Sequence, residues 1–274
     1  VHHEVFGDYI DAGATATDNF VDHETITGRI LVTNDVDETK LGTYEVKYRV
    51  TDIAGNSADV LVRTVHVVDT KPPVIVLNGN TVEYVVLGGT FHDPMATATD
   101  NYDGDITASI TVSGTVQTDK LGKYTLTYRV EGSSGNVATV ERIVEVVDTD
   151  IPVITLKGDA HMEHEVGDPF VDPGATAYDN ADGDITANIQ VTGTVDVTRL
   201  GRYTLEYNVQ DSSGNQAVTK IRTVEVVDTT PPVIVLLGDS TVTLELGQPY
   251  IEAGAQATDN YDGDITASIT VSGT

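Results

Sequence analysis

Short runs in which apolar and polar residues alternate recur along the chain and predict β-strands. In Tyr124–Val130 and Tyr203–Val209 every second residue is Tyr, Leu or Val, and the residues between them are mostly polar or charged. A period of two places successive side chains on opposite faces, which is typical of a strand with one buried face. No window carries a sustained helical stripe, so the pattern predicts an all-β fold. Further β-rich runs, broken by Gly, Asp and Pro, are Val74–Leu77, Thr81–Leu87, Ala96–Thr99 and Ser109–Val116.

Turn signals separate these runs and indicate how the strands connect. Ser133–Asn136 and Ser212–Asn215 both read Ser-Ser-Gly-Asn and lie between two predicted strands, as between Tyr124–Val130 and Val137–Val147. Each such pair is predicted to be a hairpin. Six or seven short strands in about 80 residues favour a sandwich of two packed sheets.

The chain repeats itself about every 80 residues. An Asp-Asn pair opens near-copies of one segment at Asp18, Asp100, Asp179 and Asp259. A Leu-Gly-x-Tyr motif and a Val-Val-Asp-Thr motif keep the same spacing, which is the mark of a tandem array. Repeat 1 lacks a first strand and repeat 4 contains only an N-terminal half, so we expect the chain to be part of a longer protein. The predicted domains are repeat 1 (1–71), repeat 2 (72–150), repeat 3 (151–230) and repeat 4 (231–274).

Composition removes several function classes. The 43 acidic residues exceed the 15 basic ones and give a net charge of -28, which disfavours nucleic acid and anionic membranes as partners. The apolar runs are strand-sized, so no membrane insertion is predicted. Because the chain has no cysteine, stability must come from packing rather than from disulfides, and oxygen-ligated ions are a further possible source.

The linkers between repeats are short. About two residues, as in Thr149–Asp150 or Thr229–Thr230, separate the last strand of one repeat from the proline-bearing first strand of the next. Proline fixes its own backbone angle and favours an extended residue before it. The array is therefore expected to be an elongated, semi-rigid rod.

The repeated motifs resemble a known family. Pro-Pro-Val-Ile-x-Leu-x-Gly is followed by Ala-Thr-Ala-x-Asp-Asn-x-Asp-Gly-Asp-Ile-Thr and by a Leu-Gly-x-Tyr strand that ends in Gly-Asn. This pattern resembles the bacterial surface-protein immunoglobulin-like repeat, which is similar to hyalin-type repeats. The resemblance implies tandem immunoglobulin-like β-sandwiches in an extracellular setting. Repeat 1 departs from it at Val21–Thr25, and repeat 2 has Glu131-Gly132 where repeat 3 has Gln210-Asp211.

Acidic loops carry the candidate chemistry. In an immunoglobulin-like sandwich the linker, the loop after the second strand and the last hairpin turn meet at one end of the domain. Carboxylates crowded there favour a hard divalent cation, and calcium at the joints is the hypothesis, with the fullest acidic set at the start of repeat 3. The spacing is not that of an EF-hand. The candidate metal ligands are Asp69, Asp100, Asp103, Asp105, Asp148, Asp150, Asp179, Asp182, Asp184, Asp211, Asp228, Asp259, Asp262 and Asp264.

Other interpretations of these residues stay open. Asp and Asn in such loops are also turn formers that cap backbone amides, and both roles can coexist. His161 and His164 lie three apart on a predicted strand and so point to opposite faces, which favours a solvated strand over a metal cluster. Tyr48, Tyr128 and Tyr207 are predicted core or corner residues. The chain has no Trp and four Phe, which weighs against a sugar-stacking face.

The sequence predicts a structural role. No nucleophile motif is present, and carboxylates repeated in every unit are not expected to be catalytic, so no enzymatic activity is predicted. The favoured function is a segment of a bacterial surface adhesin, stalk or extracellular filament. The alternative is a spacer in a secreted hydrolase or toxin. Expected partners are neighbouring repeats, other copies of the chain that could complete open sheet edges, and a cell-surface or matrix ligand.

Overall fold

The computed structural model describes residues 1–273 and divides into two compact units, Val1–Val147 and Asp148–Thr274. Each unit is built almost entirely from short strands, which confirms the all-β prediction. The first unit contains repeat 1 and repeat 2 up to Val147, and the second contains the last three residues of repeat 2 with repeats 3 and 4. The division into four domains at the boundaries given above stays a prediction.

Repeat 1 forms one four-stranded sheet in the order β1-β4-β3-β2, with β1 parallel to β4. Val46, Tyr48 and Val65 are buried on its inner face. Ala14 is half-buried against these residues and belongs to no strand. Its elements are β1 (His2–Glu4), α1 (His23–Thr27), β2 (Leu31–Asn34), β3 (Gly42–Arg49) and β4 (Leu61–Val68).

Repeat 2 adds the second sheet. One sheet has the order β6-β11-β10-β9 and the other the order β5-β7-β8. Ala96 from the small sheet and Leu126, Tyr128 and Val144 from the large one form a common core. Its strands are β5 (Val74–Leu77), β6 (Val82–Val86), β7 (Ala96–Asp100), β8 (Gly104–Asp105), β9 (Thr111–Ser113), β10 (Gly122–Glu131) and β11 (Val137–Val147).

Repeat 3 repeats this sandwich in the second unit. Its sheets have the orders β12-β14-β15 and β13-β18-β17-β16. Ile154 and Ala177 from one sheet form a common core with Leu205 and Tyr207 from the other, so alternate residues of these strands fill one core. The strands are β12 (Val153–Leu156), β13 (His161–Glu165), β14 (Ala175–Asp179), β15 (Gly183–Asp184), β16 (Gln190–Thr192), β17 (Gly201–Asn208) and β18 (Lys220–Val227).

Repeat 4 contributes a single three-stranded sheet in the described residues, in the order β19-β20-β21. Ile234 is 62% exposed, whereas its repeat-3 counterpart Ile154 is 2% exposed. The inner face of this sheet is thus uncovered at Ile234, although the neighbouring Ala257 is buried. The strands are β19 (Val233–Leu236), β20 (Ala255–Asp259) and β21 (Gly263–Asp264).

Two segments differ from the strand prediction. Repeat 1 contains the short helix α1, which begins because the Asp22 carboxylate accepts a hydrogen bond from the Thr25 amide at 2.9 Å, as an N-cap does. Ser109 ends the 3₁₀ helix Thr107–Ser109 instead of starting a strand. Corresponding 3₁₀ helices are Thr186–Asn188 and Thr266–Ser268. No helix within residues 1–273 has the length and hydropathy needed to span a membrane.

A buried arginine anchors the core of repeat 3. Arg222 is fully buried, forms an ion pair with Asp172 and donates a hydrogen bond to the Gly174 carbonyl at 3.2 Å. The Tyr207 hydroxyl donates to the same Asp172 carboxylate at 2.7 Å, and the guanidinium lies 5.6 Å from the Tyr207 ring centroid. Burial and this hydrogen bond raise the pKa of Tyr207 to about 12. Equivalent clusters join Arg63, Tyr48 and Asp11, and Arg142, Tyr128 and Asp93.

Candidate metal centre

Three carboxylates converge at one end of repeat 3. Asp148 lies in the segment that leads into β12, Asp179 ends β14, and Asp211 opens the turn that follows β17. One carboxylate oxygen from each lies within 4.8 Å of the other two, and all three residues are buried. The linker, the loop and the hairpin turn therefore meet at this end of repeat 3, although the loop follows the third strand, β14, and not the second.

Turn formation uses only some of these oxygens. Asp179 Oδ1 accepts hydrogen bonds from the amides of Ala181 at 2.8 Å and Asp182 at 3.1 Å, and Asp148 Oδ1 accepts from the Asp150 amide at 3.1 Å. Within residues 1–273, the Oδ2 atoms of Asp148 and Asp179 are buried and have no hydrogen-bond partner. Each of these two residues thus caps a turn with one oxygen and leaves the other free.

Asp211 is held by the last residue of its own turn. Its Oδ1 accepts from the Asn215 amide at 2.7 Å, and its Oδ2 accepts from the Asn215 side-chain amide at 2.8 Å. The same Asn215 side chain reaches the Asp148 carbonyl at 3.3 Å. Asn215 therefore ties the hairpin turn to the linker and keeps two of the three acidic residues in place.

The arrangement is electrostatically costly without a cation. Two charges 4.8 Å apart repel by about 3 kcal/mol at an effective dielectric constant of about 20, and the group contains three such pairs. Buried carboxylates with free oxygens are costly unless they are paired or coordinate a metal. Carboxylate oxygens are the ligands of hard cations such as Ca²⁺, so this donor set fits calcium, with other oxygens completing six to eight ligands.

The remaining predicted ligands of repeat 3 are not part of this group. Asp182 accepts hydrogen bonds from the Ser212 amide at 2.6 Å and hydroxyl at 2.7 Å, and the hydroxyl contact is the main cause that lowers the pKa of Asp182. Asp184 caps the Thr186 amide at 2.9 Å, and Asp150 is exposed. These residues shape the loops that hold the three converging carboxylates.

Repeat 2 has an incomplete version of the group. Asp69 and Asp100 are buried, and Asp100 Oδ2 has no hydrogen-bond partner within residues 1–273. Gly132 stands where repeat 3 has Asp211, and a Cβ added to Gly132 would lie 3.6 Å from Asp100 Oδ2 and 3.1 Å from Asp103 Oδ2. Asp103 accepts from the Ser133 amide at 2.7 Å, and Asp105 caps the Thr107 amide at 2.9 Å. The third buried carboxylate is missing here.

The start of repeat 4 carries a related acidic group. Partial desolvation and the nearby charge of Asp259 raise the pKa of Asp228, with further contributions from Glu165 and Asp262. Asp259 caps the Tyr261 amide at 2.9 Å, and Asp264 caps the Thr266 amide at 3.0 Å. The described part of repeat 4 includes no counterpart of Asp211.

Glu165 lies at the junction of repeats 3 and 4 and is not among the site residues predicted from the sequence. Its carboxylate accepts hydrogen bonds from the hydroxyls of Thr229 at 2.6 Å and Thr230 at 2.7 Å, and from the Asn260 side chain at 3.0 Å. These contacts lower the pKa of Glu165 to about 2. Glu4 accepts from Thr70 in the same way in repeat 1. The contacts of Glu165 with Thr229, Thr230 and Asn260 are here called the latch. The signal that could have revealed it is the shared position of the two Glu residues, each at the end of a short parallel strand.

Comparisons with known proteins agree with this architecture. A family model described as bacterial surface protein, Ig-like domain matches residues 4–67, 75–146, 154–226 and 234–274. The chain is 32% identical over 222 residues to a pesticidal crystal protein of Bacillus thuringiensis, covering 74% of this chain and 28% of that protein. It is 35% identical over 229 residues to hyalin of Lytechinus variegatus, covering 77% of this chain and 42% of hyalin.

A third relative is a serine-rich adhesin for platelets of Staphylococcus aureus, which is 26% identical over 187 residues, or 58% of this chain and 8% of the adhesin. The chain thus spans less than half the length of each of these relatives. The family model, by contrast, covers each of the four repeats in turn. The chain belongs to the bacterial surface protein Ig-like domain family.

Proposed function

We propose that the chain is a segment of an extracellular stalk that carries an adhesive or other functional module away from a bacterial surface. Its family is one of bacterial surface domains, which places the chain outside the cell. Tandem repetition and short linkers support a structural and adhesive role, since repeated domains set distance without needing separate activities. Neighbouring repeats, further copies of the chain and a surface or matrix ligand are the proposed partners. No catalytic role is proposed for it.

We further propose that calcium stiffens the stalk at its joints. The supporting observation is the pair of buried, unpartnered oxygens on Asp148 and Asp179 beside Asp211. A cation held there would connect the linker of repeat 3 to its loop and to its hairpin turn. Bending at Asp148 would then require loss of a ligand, so occupancy would restrict the joint.

The test uses the whole chain with calcium or with a chelator. Calcium at 100 times its dissociation constant stabilises a binding-competent fold by about 2.7 kcal/mol, which raises the melting temperature. Small-angle scattering should show a longer, stiffer particle when calcium is present. Asp211→Gly, which copies the natural residue of repeat 2, should abolish both responses.

Asp52→Gly is the matched control. Asp52 accepts the same two bonds from Asn56, at 2.7 Å each, as Asp211 accepts from Asn215, but it does not belong to the converging group. It should lose turn stability and keep the calcium response. Equal responses in Asp211→Gly and the unchanged chain would contradict the calcium joint and leave a plain spacer.

The match to a pesticidal crystal protein favours a second arrangement, in which the same repeats are spacers beside an active module. The sequence flanking this segment in its parent gene separates the two. Many further repeats would support the stalk, whereas an adjoining catalytic or toxin module would support the spacer.

A further inference from the structure

Repeat 3 contains a cleft lined by side-chain amides. Its volume is about 540 Å³, within the usual range of small-molecule sites. It lies where the 3₁₀ helix after β15 meets β16 and the end of β17. Ile189 and Val209 also line it, and both belong to the hydrophobic core of repeat 3. The five carboxamides, here called the amide cleft, are Asn188, Gln190, Asn208, Gln210 and Gln216.

Most of the hydrogen-bonding capacity of the amide cleft is unused by the protein. Gln210 donates through Nε2 to the Gly214 carbonyl at 2.8 Å, and Asn208 accepts through Oδ1 from the Thr219 hydroxyl at 2.5 Å. The amides of Asn188, Gln190 and Gln216 make no side-chain hydrogen bond within residues 1–273. Each carboxamide offers both donors and an acceptor, so the cleft presents both kinds of group to a ligand.

Repeat 2 does not share these amides. At the five corresponding positions repeat 2 has Ser109, Thr111, Arg129, Glu131 and Val137. Arg129 and Glu131 form an ion pair there at 2.7 Å, whereas no lining residue of the amide cleft is ionisable. The fold therefore does not require amides at these positions. The lining of the amide cleft is thus uncharged in a chain with a net charge of -28.

We propose that the amide cleft binds a neutral, hydroxyl-rich ligand, that is, an uncharged saccharide unit of a surface or matrix glycan. Hydroxyl groups donate and accept hydrogen bonds as carboxamides do, so such a ligand is complementary to the side chains of the amide cleft. A peptide strand is disfavoured because β16 has only three residues on which to add a strand. Without an aromatic platform, the dissociation constant for one saccharide unit is on the order of millimolar.

The test is saturation-transfer NMR on the whole chain. The probes are glucose, galactose, N-acetylglucosamine and maltose, with galacturonate as the charged counterpart and tetra-alanine as the peptide. At least one neutral saccharide should receive saturation, and galacturonate and tetra-alanine should not. The triple variant Gln190→Thr, Asn208→Arg and Gln216→Val, which installs the residues of repeat 2, should lower the signal at least tenfold.

Two controls separate binding from folding. The triple variant should keep the melting temperature of the parent chain within a few degrees, because repeat 2 folds with these residues. Gln256→Thr, an exposed amide on β20 outside the cleft, should leave the saccharide signal unchanged. The proposal is overturned if no neutral saccharide gives a signal, if the signal survives in the triple variant, or if tetra-alanine or galacturonate alone binds.

Discussion

At the scale of single residues, the converging aspartates of repeat 3 divide two tasks between their two oxygens. Asp179 Oδ1 caps two loop amides, while its Oδ2 is buried without a partner. Capping needs an acceptor but no charge, so Asn could do it equally well. The charge of Asp179 is thus unnecessary for the turn, and it is costly beside Asp148 and Asp211 unless a cation is bound.

The effect of Asp179→Asn on the stability of repeat 3 should therefore have opposite signs with and without calcium. In a chelator the variant should stabilise repeat 3 by about 1 to 3 kcal/mol, because it removes repulsion from two neighbouring carboxylates. In calcium it should be less stable than the parent, because a ligand is lost. Calorimetric melting under both conditions measures this. Asp18→Asn in repeat 1 is the control, since Asp18 caps Phe20 and Val21 in the same way. The same sign under both conditions would argue against a cation.

The buried Arg222 cluster predicts a different residue-scale effect. Tyr207→Phe removes a hydrogen bond to a charged acceptor in the core and should cost about 1.5 to 3 kcal/mol. Tyr203→Phe, which loses a 3.0 Å bond to the Arg199 carbonyl at the surface, should cost about 0.5 to 1 kcal/mol. Hydrogen exchange of β17 and β18 amides reports both changes within the whole chain. Equal losses in the two variants would show that Asp172 does not hold the core through Tyr207.

At the scale of elements, the latch formed by Glu165 joins the end of β13 to the linker after β18. The pKa of Glu165 is about 2, below the ordinary value of 4.5, because Thr229 and Thr230 donate hydrogen bonds to the ionised carboxylate. A group with a depressed pKa in the fold contributes stability above its unfolded pKa and loses it as the pH falls towards the folded value. The latch is thus fully formed above about pH 4.5 and lost towards about pH 2.

Glu165→Gln should flatten the pH dependence of stability in that window. Gln cannot be ionised and offers one acceptor oxygen in place of two, so the variant should be less stable at neutral pH and differ little from the parent near pH 2. Urea unfolding between pH 2 and pH 7 measures the difference. Glu163→Gln, an exposed residue on the same strand, is the control and should follow the parent. A constant offset at every pH would mean that the Glu165 charge does not matter.

The elements also show what could be predicted from the sequence. Strands with strict alternation, such as β10 and β17, and the meeting of linker, loop and turn follow from period and topology. The sequence pattern does not predict helix α1, because its five residues are too few to show a helical stripe of apolar residues. The helix begins at the Asp22 cap instead. Arg222 lies on the same strand face as Val224 and Val226, so the sequence pattern predicts that it points inward. Its burial, however, depends on Asp172 from a distant loop. Which aspartate oxygens stay free depends on hydrogen bonds that spacing does not specify.

At the scale of the whole molecule, the repeats are similar in fold but different in their joint chemistry. The hairpin position is Asp52 in repeat 1, Gly132 in repeat 2 and Asp211 in repeat 3, and the latch position is Glu4, Val86 and Glu165. Repeat 3 alone of these three joins a buried linker carboxylate, a loop carboxylate and a hairpin carboxylate in the described residues. We therefore expect the cation response of the array to be concentrated at the start of repeat 3.

The most direct test of a cation at the start of repeat 3 is calorimetric titration of calcium into the chelator-treated chain. We predict saturable binding that Asp179→Asn and Asp211→Gly each abolish and that Asp52→Gly leaves intact. Gly132→Asp should add a further site, since a side chain at this position begins within 4 Å of Asp100 Oδ2. Absence of saturable binding at calcium concentrations on the order of 10 mM, above the dissociation constants of extracellular calcium modules, would contradict a calcium site and leave the buried aspartates as turn formers.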